Sequence, residues 1–225
     1  GSSSGRTNIK FPTIGNTCSL AVINLDTSKI FGDIGDFAIT YNPCPDSYNY
    51  EDKDKFAICY LVVKGNYINR QGNECWLPPW LYHLTDRKKR IDTTREMLFP
   101  KEFEGLSDRE IFELILKANQ VEEEFHPDFL YLPQVDNEIW SRHRFELYET
   151  TDGYLSYFYV KNNKITFLIE DDTENEVDVE RSYKFIFHTV DLNHFINVVD
   201  EITNFLIKEF PFLEGQISSR TFNNS

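Results

Sequence analysis

The chain has 225 residues, 23 of them Lys or Arg and 37 Asp or Glu, for a formal net charge of −14. Such a chain is a poor whole-surface partner for DNA, RNA or an anionic membrane, which are bound by neutralising phosphate with cations. With 40% hydrophobic and 15% aromatic residues it has the material for a buried core, and its length suits one large domain or two small ones.

The opening GSSSGR reads as a linker and is set aside. The first third then reads as β structure. Ser19–Leu25 is an apolar run, and Asp36–Tyr41 and Lys55–Val63 are rich in β-branched and aromatic residues. Between the last two, 42–54 is a polar loop with two prolines. Lys64-Gly65-Asn66 supplies a hairpin turn, and Tyr67–Arg70 a short return strand. Pro79 is suited to open a short helix ending near Thr85. The stretch Asp92–Phe99 reads as a single helical turn at most.

Ser107–Phe125 is the clearest helix. Ser107 and Glu110 form a capping box, in which each side chain satisfies a free backbone donor of the first turn. Ile111, Leu114, Ile115, Ala118, Val121 and Phe125 follow at helical spacing. From about Ile139 the pattern returns to β. Arg144–Glu149, Gly153–Val160, Lys164–Asp171 and Arg181–His188 predict a four-strand antiparallel meander over about 144–188, with tight turns at Asp152-Gly153 and Asn162-Asn163. Asp191 is a fitting N-cap for a second main helix over 191–210, with Leu192, Phe195, Ile196, Val199, Ile202, Phe205 and Leu206 on one face. The fold class is therefore α+β. One domain is expected over 7–213, with a subdivision point near 133–138 and a flexible tail over 214–225. No run of 18 apolar residues occurs, so no membrane span is expected.

Chemistry is hard to find. Cys18, Cys44, Cys59 and Cys75 lack the C-x-x-C spacing of zinc or redox sites. Free thiols are expected, or a Cys44–Cys75 bridge if the protein is exported. The histidines at 83, 126, 143, 188 and 194 form no H-E-x-x-H pattern. His188 and His194 flank Asp191, which reads either as an acid–base group or as a helix cap. Neither cofactor nor metal is expected. The 170–180 segment holds Glu170, Asp171, Asp172, Glu174, Glu176, Asp178 and Glu180 with no basic residue. It reads as a solubilising surface or as a docking patch for a basic protein, since clustered charge speeds association. A second acidic stretch, 101–140, carries 11 acids against three bases. Trp76 and Trp80 flank a Pro-Pro pair, either as a contact surface or as a plug at one end of a sheet. The basic run Arg87-Lys88-Lys89-Arg90 opposes the overall charge and is expected to pair internally or lie solvated.

At Ile30–Ile39, IFGDIGDFAI, the chain resembles the immunity protein 42 family of bacterial polymorphic-toxin systems, with Phe31, Gly32, Asp33, Phe37, Ala38 and Ile39 matching its turn-and-strand pattern. Ala57–Ile68 is similar to the family's next hairpin. The resemblance implies a non-enzymatic, cytoplasmic protein that binds a cognate, basic toxin domain of contact-dependent growth inhibition, such as a nuclease, and blocks its active site. The partner-binding residues expected on that basis are Glu170, Asp171, Asp172, Glu174, Glu176 and Asp178, with Trp76 or Trp80 as an apolar anchor. The alternatives are a carboxylate- or His-dependent hydrolase and a structural or adaptor protein.

Overall fold

The computed structural model describes residues 28–45, 52–69, 72–119, 142–171 and 185–217. The expected strand at Ser19–Leu25, the end of the first main helix, His126, the 133–138 stretch and most of the 170–180 acidic segment lie outside these residues.

Two antiparallel sheets and three helices make up the described fold, which is α+β. The first sheet orders β1 (Lys29–Gly32), β2 (Phe37–Pro43), β3 (Phe56–Val63) and β4 (Asn66–Ile68) in sequence, with the two-residue β5 (Cys75–Trp76) also paired to β3. The β3–β4 hairpin turns through Lys64 and Gly65, at φ 50° and 75°. Both lie in the left-handed region that a tight two-residue hairpin requires. On β2 and β3 both faces are buried, which is why these strands read as nearly continuous apolar runs. Phe37, Ile39, Tyr41, Cys59, Leu61 and Val63 face the main core, while Ala38, Ile58, Tyr60 and Val62 form a separate cluster on the other face.

Gly32 closes the β1–β2 hairpin at φ 97°, and a Cβ there would meet the Phe37 carbonyl oxygen at 2.4 Å and Val198 Cγ2 at 2.6 Å. Only glycine fits both the conformation and the space.

The second sheet is β6 (Tyr154–Lys161), β7 (Lys164–Asp171) and β8 (Phe185–Asp191). Asn162 and Asn163 make the β6–β7 turn at φ 51° and 58°, as their dipeptide predicts. The segment expected as the first strand of this meander makes only a bridge, Arg144 to Tyr157, before a 3-10 turn at Tyr148–Thr150. Its alternation is real, since Phe145 and Leu147 are both buried. Tyr148 then takes φ 45° and ends the extended run.

Helix α1 spans Leu77–Thr94 and is much longer than the expected short helix. Its prolines sit in the first turn, where no backbone N–H is needed. The apolar stripe Leu77, Leu81, Leu84 and Ile91 is interrupted by Lys88, whose ammonium lies 2.5 Å from Asp200 on the C-terminal helix. That pairing lets a basic run occupy a helix packed into the fold.

Helix α2 (Asp108–Asn119) starts with the predicted capping box, with Ser107 N and Oγ each 2.7 Å from Glu110 Oε2. Helix α3 (Leu192–Glu209) is capped by Asp191, which accepts from the backbone N–H groups of Asn193 and His194. α3 packs against both sheets and α1. At their junction Phe37 stacks on Phe167 with centroids 5.3 Å apart, and Phe195 contacts both rings. α2 covers the opposite face of the second sheet, where Ile111, Phe112 and Ile115 join Tyr157 and Leu168. The chain then makes a 3-10 turn at Pro211–Gln216, which buries Leu213.

Candidate partner-binding surface

The residues nominated from sequence fall into three groups. Asp172, Glu174, Glu176 and Asp178 lie outside the described residues. Glu170 and Asp171 end β7, but Glu170 is only 8% exposed, opposite Leu155 and Phe185 on the face that α2 covers. Asp171 is half-buried. Glu170 therefore does not present its carboxylate as a docking side chain, which corrects its nomination.

The two tryptophans separate sharply. Trp80 is wholly buried and its Nε1–H donates to Thr150 Oγ1 at 3.0 Å, so it is a core side chain, and its nomination as a surface anchor is corrected. Trp76 is 49% exposed. In register it opposes Phe56, whereas its neighbour Cys75 opposes Ala57 and points into the core.

On the core side of β5 lies a buried polar knot centred on Thr150. Its hydroxyl accepts from Trp80, donates to the Cys59 carbonyl at 3.2 Å, and lies 3.0 Å from the Cys75 thiol. Cys44, Cys59 and Cys75 are all free thiols, so no Cys44–Cys75 bridge forms. Burial pushes the Cys44 thiol up to about 11 and holds the wholly buried Cys59 well above its usual range. Cys44 and Cys59 are therefore inert, protonated groups.

This knot fixes the 148–150 turn against β5. The turn presents Tyr148, 50% exposed, with its ring 4.5 Å edge-on from His83 of α1. Sequence reasoning missed Tyr148. A left-handed position is normally betrayed by Gly or Asn, and a bulky side chain there costs roughly 1–2 kcal/mol. The loop holds it through Thr151, whose N–H donates to the Tyr148 carbonyl at 2.9 Å and whose hydroxyl accepts from Leu147 N–H at 2.9 Å.

The remaining histidines serve as ties between elements. His143 is buried; its Nδ1–H donates to the Phe158 carbonyl at 3.0 Å, and burial lowers its pKa to about 4. His188 Nε2 lies 2.5 Å from Asp36 Oδ1, joining β8 to the β1–β2 turn. His194 Nε2 lies 3.1 Å from the Phe37 carbonyl and donates to it. Asp191 is thus the helix cap, and His188 finds its carboxylate elsewhere. Among the described residues, no three His, Cys, Asp or Glu side chains are grouped to hold a metal ion.

The basic run is also committed to the fold. Beyond Lys88–Asp200, Arg90 pairs with Asp86 at 2.9 Å and Arg95 with Asp92 at 2.6 Å. Burial lowers the Arg87 pKa to about 10. Among the described residues, no helix is long and apolar enough to cross a membrane.

The profile of the family described as Immunity protein 42 matches residues 30–205, from β1 into α3. Among solved structures, the crystal structure of CdiI from Burkholderia dolosa AUO158 has a similar fold, with a TM-score of 0.51 and 15% identity over 78% of this chain and 99% of that one. No curated protein matches the chain.

Proposed function

The chain belongs to the immunity protein 42 family, and on that premise we propose that it neutralises a cognate toxin domain by binding it and covering its active site or substrate path. The carrying observation is the extent of the match, which takes in both sheets and most of α3 rather than one short motif. The net charge of −14 supports a partner with a basic surface, such as a nuclease, met in the cytoplasm. The use of histidines and cysteines as internal ties supports a non-catalytic role. The acidic stretch that begins at Asp171 is proposed to steer the encounter.

The test is co-expression with the toxin domain encoded directly upstream of the gene for this chain. Growth should be restored, and the two purified proteins should form a stable complex. Changing Asp171, Asp172 and Glu174 together to Lys should slow association at least about tenfold at low salt, with a smaller effect at high salt. Cells that die despite the chain, with no complex formed, would sink the reading. An unchanged association rate in the triple variant would remove the acidic stretch from it.

A further inference from the structure

We propose that the outer edge of β8 takes an extended strand of the cognate toxin domain, which joins the second sheet as its fourth strand. This deepens the proposed function and rests on it.

The hydrogen-bond phase of the sheet shows which backbone groups are on offer. In an antiparallel pair, opposite residues alternate between exchanging both backbone bonds and exchanging none. Asn163 stands opposite Leu192, one step beyond the Lys164–Asp191 pair, and its carbonyl accepts from Leu192 N–H at 3.0 Å. The bonded positions on β8 are therefore Ile186, His188 and Val190. Phe187 and Thr189, between them, turn their N–H and C=O groups away from β7.

The two edges of this sheet are treated differently. On the outer edge of β6, Val160 N–H donates to the Leu98 carbonyl at 3.2 Å and Phe145 N–H donates to the Ser156 carbonyl at 2.9 Å. The Phe158 carbonyl, on the same edge, accepts from His143 Nδ1–H at 3.0 Å. No such bond reaches the outward groups of Phe187 or Thr189 among the described residues.

The β8 edge is also unguarded. Exposed edges are commonly protected by Lys, Pro or a bulge, since a bare edge templates pairing with other chains. Phe185–Val190, FIFHTV, contains no Asp, Glu, Lys, Arg or Pro, and it pairs with β7 without a bulge. Phe185 to His188 are half-buried and Thr189 is exposed. A strand of this composition is a liability unless a partner covers it.

Charge and packing choose the occupant. A second copy would bring −14 against −14. A basic domain is drawn to this place instead, because Asp171, one residue beyond the Glu170–Phe185 pair, lies at the start of β8 and the exposed Asp191 at its end. Phe185 and Phe187 stand on the α2 side, with centroids 5.6 and 6.1 Å from Phe112, while Ile186 packs against the main core. An added strand continues both faces, so its alternate apolar side chains meet Phe187 on one side and Ile186 on the other.

The experiment follows amide exchange in the full chain, free and bound to the upstream-encoded toxin domain. Ile186, His188 and Val190 should be slow in both states. Phe187 and Thr189 should exchange fast in the free chain and at least about tenfold more slowly in the complex. Thr189→Pro removes one outward N–H at an edge position that tolerates proline, and should weaken the Kd at least about tenfold. Thr189→Val keeps that N–H and should bind like wild type. Thermal midpoints of both variants report the fold; if Thr189→Pro unfolds, the exchange result on the wild-type chain decides. A complex in which Phe187 and Thr189 stay fast, or a folded Thr189→Pro with wild-type affinity, would overturn this inference and leave the proposed function standing. Slow exchange at both residues in the free chain would overturn it too, with independence from protein concentration marking another segment of the chain on the edge and dependence marking a second copy. A wild-type chain that does not bind the toxin domain would overturn both readings.

Discussion

The two faces of the second sheet are covered by helices of similar amphipathic character with unequal responsibilities. α3 leaves β8 directly through its Asp191 cap and packs against both sheets and α1, with Phe195 touching Phe37, Phe145 and Phe167. α2 covers the other face, through Phe112 on Tyr157, Phe185 and Phe187. One helix closes a joint between sheets, and the other closes the outside of one sheet. A helix whose stripe is shared among several elements must unfold with the whole molecule, whereas a covering helix can open by itself.

The largest test of that difference is a pair of truncations. Phe195→Ala should cost about 3–5 kcal/mol and lower the global thermal midpoint. Phe112→Ala removes a ring of the same size, yet should mainly speed amide exchange within α2, with the β2 and β7 amides still protected. Equal loss of protection throughout the molecule in both variants would break the comparison.

A second test concerns the seam. His143 lies between Phe103 of the α2 layer and Phe158 of the main core. Burial holds its folded pKa near 4, below the ordinary 6.5. The unfolded chain therefore takes up the proton first. Stability from this group is complete above about pH 6.5 and is lost as pH falls toward 4, by roughly 3 kcal/mol in all. Denaturant midpoints across that window should show the slope, and His143→Gln, whose amide can still donate to Phe158, should flatten it.

The smallest test compares the caps. Asp191→Ala and Ser107→Ala each should cost about 1 kcal/mol of helix stability. The first should appear in the global midpoint. The second should appear chiefly as faster exchange in the first turn of α2.

Legibility in the sequence followed the range of the interactions. The cap boxes, the Asn162-Asn163 turn, β2, β3 and the stripe of α3 are local patterns and were readable. α1 was underestimated because its apolar stripe is broken at Lys88, and the partner that makes the break tolerable, Asp200, lies 112 residues away. Trp76 and Trp80 could not be told apart, since Thr150, which accepts the indole N–H of the buried Trp80, is 70 residues distant. Arg144–Glu149 alternates like a strand, and nothing about a tyrosine announces the left-handed step that ends it. Tyr148 consequently went unnamed among the candidate contact residues, while Glu170, prominent in an acidic run, proved to be buried.

Gly32 carries a consequence for how such chains are compared. The Phe31-Gly32-Asp33 motif, by which this sequence most visibly resembles its family, is dictated by packing: the glycine is wedged between the Phe37 carbonyl and Val198, and Phe31 lies against Phe205. It is a signature of scaffold rather than of specificity. Two chains that share it share a packing constraint at this hairpin, and they remain free to differ in the surfaces they present.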